Sequence, residues 1–405
     1  MLTAKTKNGQ TINLAIGYSR EALKQLREDE EFYCPCCREK VILKLGTKKI
    51  FHFAHLREGC AESMYDRESQ YHLSGKQALF HWLRSLGIPA ALEQYDSSIQ
   101  QRPDIVFLYE NRHYALEFQC SPIPQELFVK RTSNYEKRGY IPLWILGGNQ
   151  SPTHSAQVFK LSGFHYLFYR CSPGSPGYIP FFCPEKASFT ILHSIIPASP
   201  LKAFAKKAQF GIKQVGLLDI LVPPQPKEVL VSLWKRKVRQ SKLAIGANPH
   251  SPYKPFLQQL YSARKNIFLL PPEIGIPGLF SVPITSFPVI WQTYVFLDVL
   301  SERTAGTTVA VEEIVQCLAE RASKGDIQLR ELPLAKDITL RTLAYEYLFR
   351  LAKQGFLERN QNGLFLFRKE VSFPKTAAEQ WEMEENFYSV LTDTNPHHKN
   401  ENLLM

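Results

Sequence analysis

Arg102-Pro103-Asp104-Ile105-Val106-Phe107-Leu108-Tyr109, then Glu110-Asn111-Arg112, then His113-Tyr114-Ala115-Leu116-Glu117-Phe118-Gln119, is the stretch that decides the fold. Two runs rich in β-branched and aromatic residues, joined by a short polar link, predict a β-hairpin. In a hairpin of this length the opening Asp104 and the closing Glu117 lie across from each other, and Glu117 and Gln119, two apart, share a face. Two carboxylates side by side on rigid strands, with the Phe118 carbonyl between them, would form an oxygen-rich pocket for Mg²⁺ or Mn²⁺. Such an ion would orient a water and polarise a phosphodiester. The plainer alternative is a turn-capping Asp and an edge-strand Glu.

Upstream, Tyr65–Leu86 has helical spacing of Tyr71, Ala78, Leu79, Trp82, Leu83 and Leu86, and Gly87 and Pro89 end it. Glu68, His72 and Lys76 recur at i, i+4 and i+8 and share one helical face that could turn toward the same pocket, with Lys76 read as a DNA contact. An exposed salt-bridge ladder is the competing reading. Ala90–Tyr95 reads as a further strand, Pro124–Arg138 as a helix and Ile141–Leu146 as a buried strand. The order is helix, three strands, helix, strand, an α/β pattern over residues 63–150.

Before it, at residues 1–62, a hairpin turning at Asn8-Gly9 precedes Cys34-Pro35-Cys36-Cys37 and His52-Phe53-Ala54-His55. Two thiolates and two imidazoles, Cys34, Cys37, His52 and His55, can close a tetrahedral shell around a structural Zn²⁺. Cys36 could replace one partner and Cys60 could replace a histidine. Gly46, Lys48 and Lys49 would turn the chain between the two ligand pairs.

After the core, Pro and Gly thicken from Cys171 to Pro184, which predicts a linker region at 151–198. Residues 199–370 read as a basic, mainly helical domain and 371–405 as an acidic, flexible tail. Leu343–Gln354, then Phe356–Arg359 and Leu364–Arg368 around an Asn362-Gly363 turn, give a helix and hairpin of the kind that closes a winged-helix module.

The net charge of +11 points to a polyanionic partner. Between Leu201 and Lys265 thirteen Lys or Arg are opposed only by Asp219 and Glu228. Lys235, Arg236, Lys237 and Arg239 sit among Phe204, Phe210, Trp234 and Tyr253, as in surfaces that contact phosphates. A solvated basic face is the alternative. No apolar run is long enough for a membrane span and Met1–Arg20 has no leader-like core, so a cytoplasmic protein with reduced cysteines is expected.

Asp104 and Glu117-Phe118-Gln119 within this element order resemble the PD-(D/E)xK nuclease superfamily, which implies a restriction-endonuclease-like core (αβββαβ) between a small zinc-binding β module and a mainly α C-terminal region. The whole N-terminal half more specifically resembles the competence protein CoiA family. That likeness rests on Cys34-Pro35-Cys36-Cys37, His52-Phe53-Ala54-His55, Glu68-Ser69 with His72 and Lys76, Arg102-Pro103-Asp104-Ile105 and Glu117-Phe118-Gln119. It implies a role in natural transformation, promoting recombination of internalised single- or double-stranded DNA together with recombination proteins. It also implies an active-site triad of Asp104, Glu117 and Gln119 with Glu68 as accessory acid. Gln119 stands where the superfamily pattern has lysine, and a neutral amide positions by hydrogen bonding but supplies no charge. Three functions therefore compete: a Mg²⁺-dependent DNase, a non-catalytic DNA-binding recombination adaptor, and a defence nuclease acting on foreign DNA.

Overall fold

The computed structural model describes residues 1–47, 49–56, 68–172, 175–223, 231–247 and 252–393. Cys60 and Lys48 lie outside these. The chain forms two compact units, one of Met1–Pro152, Ile179–Leu192 and Lys207–Pro224, the other of Thr153–Tyr178, His193–Lys206 and Gln225–Met405.

In the first unit, β1 (Thr3–Thr6), β2 (Thr11–Asn13), β3 (Phe32–Tyr33), β4 (Lys40–Lys44) and β5 (His52–His55) form a sheet of order β2-β1-β3-β4-β5, with helix α1 (Arg20–Asp29) between β2 and β3. The β1–β2 turn comes at Gly9, whose φ of 82° suits a residue without a side chain. Ala4, Ile12, Leu23, Phe32, Val41, Leu43 and Phe53 make its small core.

The core pattern follows as α2 (Gln70–Ser85), β6 (Ala90–Leu92), β7 (Ile105–Tyr109), β8 (Arg112–Gln119), α3 (Gln125–Lys137) and β9 (Tyr140–Gly147). Its element order is the one read from sequence. β6 is shorter than expected, because Glu93 turns to a positive φ of 50°. β7 and β8 pair antiparallel with Ile105 opposite Leu116, and β8 and β9 pair parallel with Glu117 opposite Trp144.

Residues 151–198 were expected to form a linker, and the structure corrects this. They carry β10 (His154–Ser155), β11 (Val158–Lys160), α4 (Gly163–Leu167), β12 (Tyr178–Cys183) and most of β13 (Ser188–Ser199). The Pro and Gly run interrupts ordered elements, and the apolar stretch Phe189–Ile196 is buried at Phe189, Ile191, Leu192, Ile195 and Ile196, which is how a two-sided strand reads. β12 extends the first unit's sheet parallel to β9, with Phe181 opposite Leu146.

The start of the basic stretch is also a strand, not a helix: β14 (Lys202–Gly211) pairs with β11 through Phe204 and Val158. Past α5 (Leu217–Leu221), the second unit holds α6 (Val231–Gly246), α7 (Lys254–Ser262), α8 (Pro288–Val295), β15 (Thr308–Val309), α9 (Val311–Ser323), α10 (Leu340–Lys353), β16 (Leu357–Arg359), β17 (Phe365–Phe367) and α11 (Ala377–Asp393). The small sheet has the order β15-β17-β16. Trp234, Phe256, Trp291, Tyr294, Phe296 and Tyr347 centre its core. The stretch 377–393, expected to be a flexible tail, is helical, because Tyr388 is buried in that core and anchors it.

Candidate functional site

The site is assembled by a close helix–sheet approach. Ser69 caps α2 by accepting from the His72 amide at 3.1 Å. A Cβ on Gly75 would lie 1.9 Å from Phe118 Cε1, so only glycine lets α2 settle onto β8 at this depth. A glycine inside a helix costs about 1 kcal/mol of propensity, here offset by contact with the sheet.

That approach drives Lys76, 1% exposed, into a carboxylate cluster. Its Nζ donates to Glu68 Oε1 at 2.5 Å and Glu93 Oε1 at 2.6 Å, and pairs with Asp104 Oδ1 at 3.1 Å. Asp104 Oδ2 faces His72 Nε2 at 3.1 Å and accepts from the Phe118 amide at 2.9 Å. Glu93 also accepts from the Leu2 and Thr3 amides at 2.9 Å and from the Thr3 hydroxyl at 2.8 Å, tying β1 to the cluster. The Met1 amino group sits against Glu68.

Burial disfavours every one of these charges, and their mutual attraction outweighs it. Asp104 is held well below the usual carboxylate range against burial by Lys76 and His72, and Glu93 is brought to about 2 mainly by Lys76. Asp104, Glu68 and Glu93 push Lys76 well above its ordinary value, again against burial. Within this buried set the ammonium and the carboxylates are all ionised.

Glu117 lies elsewhere. Its carboxylate takes Arg131 at 2.6 Å and the Tyr135 hydroxyl, both from α3. Trp144, its neighbour on β9, donates to Thr132 of the same helix at 3.1 Å. Successive strand residues face opposite sides. Phe118 lies on Gly75 of α2, so Glu117 must face α3. The expected Asp104–Glu117 pocket is thus corrected: the two carboxylates turn to different helices, Asp104 toward buried Lys76 and Glu117 toward half-buried Arg131. Gln119 donates to the Ser121 carbonyl at 2.8 Å. Lys76, expected to contact DNA, is instead enclosed in the core.

The oxygen set does not fit Mg²⁺. Those of Glu68, Glu93 and Asp104 surround an ammonium a few ångströms away, and a divalent ion on the same oxygens would meet a like charge in a low-dielectric interior.

The cysteine knuckle fits a metal better. The turn after β3 closes with the Arg38 amide donating to the Cys34 carbonyl at 3.0 Å, at an Arg38 φ of 62°. Cys34, Cys37 and His55 bring their ligand atoms within 4.8 Å of one another and could hold a metal ion, with Cys37 Sγ 3.3 Å from His55 Nε2. A tetrahedral zinc shell asks for an S···N edge of about 3.5 Å. His52 is corrected out of this group. Its Nδ1 lies 2.9 Å from the Ile50 carbonyl, because the HxxH pair sits on strand β5, where residues three apart point to opposite faces. The Cys36 amide donates to Cys34 Sγ at 3.4 Å, a bond that supports a ligand.

Of the expected DNA contacts, Lys235 is paired with Glu385, and Arg239 donates through Nε to Glu384 at 2.6 Å. Burial and the nearby Lys202 lower Lys237. Arg236 is exposed. Sequence reasoning missed Glu93, Arg131 and Tyr135. A lone acid closing Ala90-Ala91-Leu92, and Arg131 and Tyr135 at i and i+4, were the available signals.

No helix among the described residues is long and apolar enough to cross a membrane. No solved structure matches the chain. The competence protein CoiA of Bacillus subtilis (strain 168) is 26% identical over 346 residues, covering 84% of this chain and 90% of that protein. Family models match in chain order: the competence protein CoiA N-terminal domain at residues 15–63, its nuclease-like domain at 68–225 and its C-terminal domain at 233–381. With all three domains matched in sequence along its length, the chain belongs to the competence protein CoiA family.

Proposed function

We propose that this chain handles internalised DNA during natural transformation and promotes its recombination as a DNA-holding adaptor, with a restriction-endonuclease-like core that does not hydrolyse the phosphodiester. One observation carries the reading: Lys76 Nζ occupies the space among Glu68, Glu93 and Asp104, while Glu117 is neutralised by Arg131. Gln119, which lacks the charge of a lysine, points the same way.

A hydrolytic reading has its own support, since three carboxylates and a lysine are also the raw materials of a phosphodiesterase. The two are separated by incubating the full chain with labelled single-stranded and duplex DNA in Mg²⁺ and in Mn²⁺. Salt-dependent binding, with cleavage no greater than that of Asp104→Ala, is the expected result. Metal-dependent cutting that disappears in Asp104→Ala would overturn the adaptor reading.

The knuckle serves as a structural Zn²⁺ site in this proposal, with Cys34, Cys37 and His55 as three of its ligands and Cys60, which the sequence offers in place of a histidine, as the fourth that closes the shell to substrate. The β15-β17-β16 sheet with α9 and α10 is read as a winged-helix module closing the C-terminal region. For the zinc site, His55→Ala is expected to lose bound zinc and His52→Ala to retain it, as measured by metal content of the purified variants.

A further inference from the structure

α6 presents Lys235 and Arg239 at i and i+4 on one face, while Lys242, further along the same row, is buried and donates to the Leu270 carbonyl at 3.2 Å. α11 lies along that face with the opposite sign. Lys235 is bonded to Glu385, and Arg239 reaches Glu384 at 2.6 Å and Glu385 at 3.5 Å. The Arg239 guanidinium also lies 4.1 Å from the Trp381 ring centre, and Lys235 is 5.7 Å from it. Of the four α6 cations that sequence alone assigned to DNA, Lys235 and Arg239 are therefore already engaged, and by carboxylates of the same chain.

We infer that α11 is a resident polyanion on a phosphate-binding row of α6, and that a phosphodiester backbone competes with it for Lys235 and Arg239. The inference rests on the DNA-handling reading above and adds a regulated site to it.

Carboxylate and phosphodiester oxygens accept from the same guanidinium and ammonium donors, so one can replace the other without redesign of the cationic face. The pairs to Glu385 are partly open to solvent, Arg239 being 34% and Glu385 49% exposed, so they are screened by salt and exchangeable, whereas Glu384 is 5% exposed and holds Arg239 more firmly. The helix is also held imperfectly. The side-chain amide of Gln380 and the Tyr388 hydroxyl are buried with no hydrogen-bond partner among the described residues, a cost that release of α11 to water would relieve. Against release stands Tyr388, packed in the core, which sets a threshold that several phosphates together must meet. Trp381, 57% exposed, would be freed with Arg239, and an indole beside a guanidinium is a platform on which an unpaired base stacks.

The test uses the full chain, a fluorescently labelled single strand and the matching duplex, with affinity read by anisotropy across a salt series. Glu384→Gln with Glu385→Gln is expected to bind about tenfold tighter than the unaltered chain, with a log–log salt slope steeper by about two, one for each freed cation. Adding Lys235→Ala and Arg239→Ala should erase that gain. Because Glu384 is buried and its change could disturb α11, hydrogen exchange on the unaltered chain gives a second readout, in which saturating DNA should lower amide protection in α11. Unaltered affinity in the glutamine variant, together with unaltered protection of α11, overturns the inference while leaving DNA binding intact. If neither form binds DNA at low salt, the DNA-handling reading fails instead.

Discussion

Two of the places where lysine or arginine meets glutamate, the Lys76 cluster and the α6–α11 contact, differ in burial. Around Lys76 the side chains of Lys76 and Glu93 are each 1% exposed and every charge has several partners. Between α6 and α11, Lys235 is 14% and Glu385 49% exposed, and of the two glutamates only Glu384 is buried. The first arrangement belongs to the fold, because a buried charge without its partner carries a desolvation penalty that nothing repays. The second is held by interactions that water and salt weaken, so it can be traded for another anion. The same residue types thus give architecture in one place and a replaceable contact in the other.

The largest break in that contrast is Lys76→Met. It leaves three buried carboxylates without their ammonium and is expected to cost about 3–5 kcal/mol, read as a fall in the urea midpoint or as failure to fold. Acid sharpens the same point. Glu93 titrates near 2 in the folded chain instead of its ordinary 4.5, so its contribution is complete above the ordinary value and is lost as pH falls toward 2. Urea midpoints should therefore decline as pH is lowered through that window, less steeply in Glu93→Gln. At the small end, Glu385→Gln should leave the urea midpoint almost unchanged in the same titration, since its carboxylate is half exposed and screened by solvent. A loss comparable to that of Lys76→Met would erase the distinction between the two sites.

How far the sequence could be read depended on whether a feature is local. The run of helix, three strands, helix and strand was legible because apolar spacing and Gly or Pro stops are local signals. Asp104 and Glu117 were legible as charges at the margin of a buried sheet. Their direction was not, because it depends on Phe118 finding Gly75 and on Arg131 and Tyr135 arriving from a helix that starts six residues beyond Gln119. His52 and His55 show the same limit. Their spacing suits joint ligation on a helix, and only the strand pairing of Val41 with His55 reveals that one of them turns away. The acidic helix α11 was hidden because its anchor, Tyr388, meets a core built from residues far upstream.

One missing carbon governs more than it touches. At position 75 the absent methyl sets how deeply the helix rides on the aromatic ring beneath it, and the next residue along is the lysine. A shim of atomic thickness at that point would lift the ammonium out of its cage of acids. The charge state of the whole cluster is therefore set mechanically, by how closely a helix backbone can approach an aromatic ring.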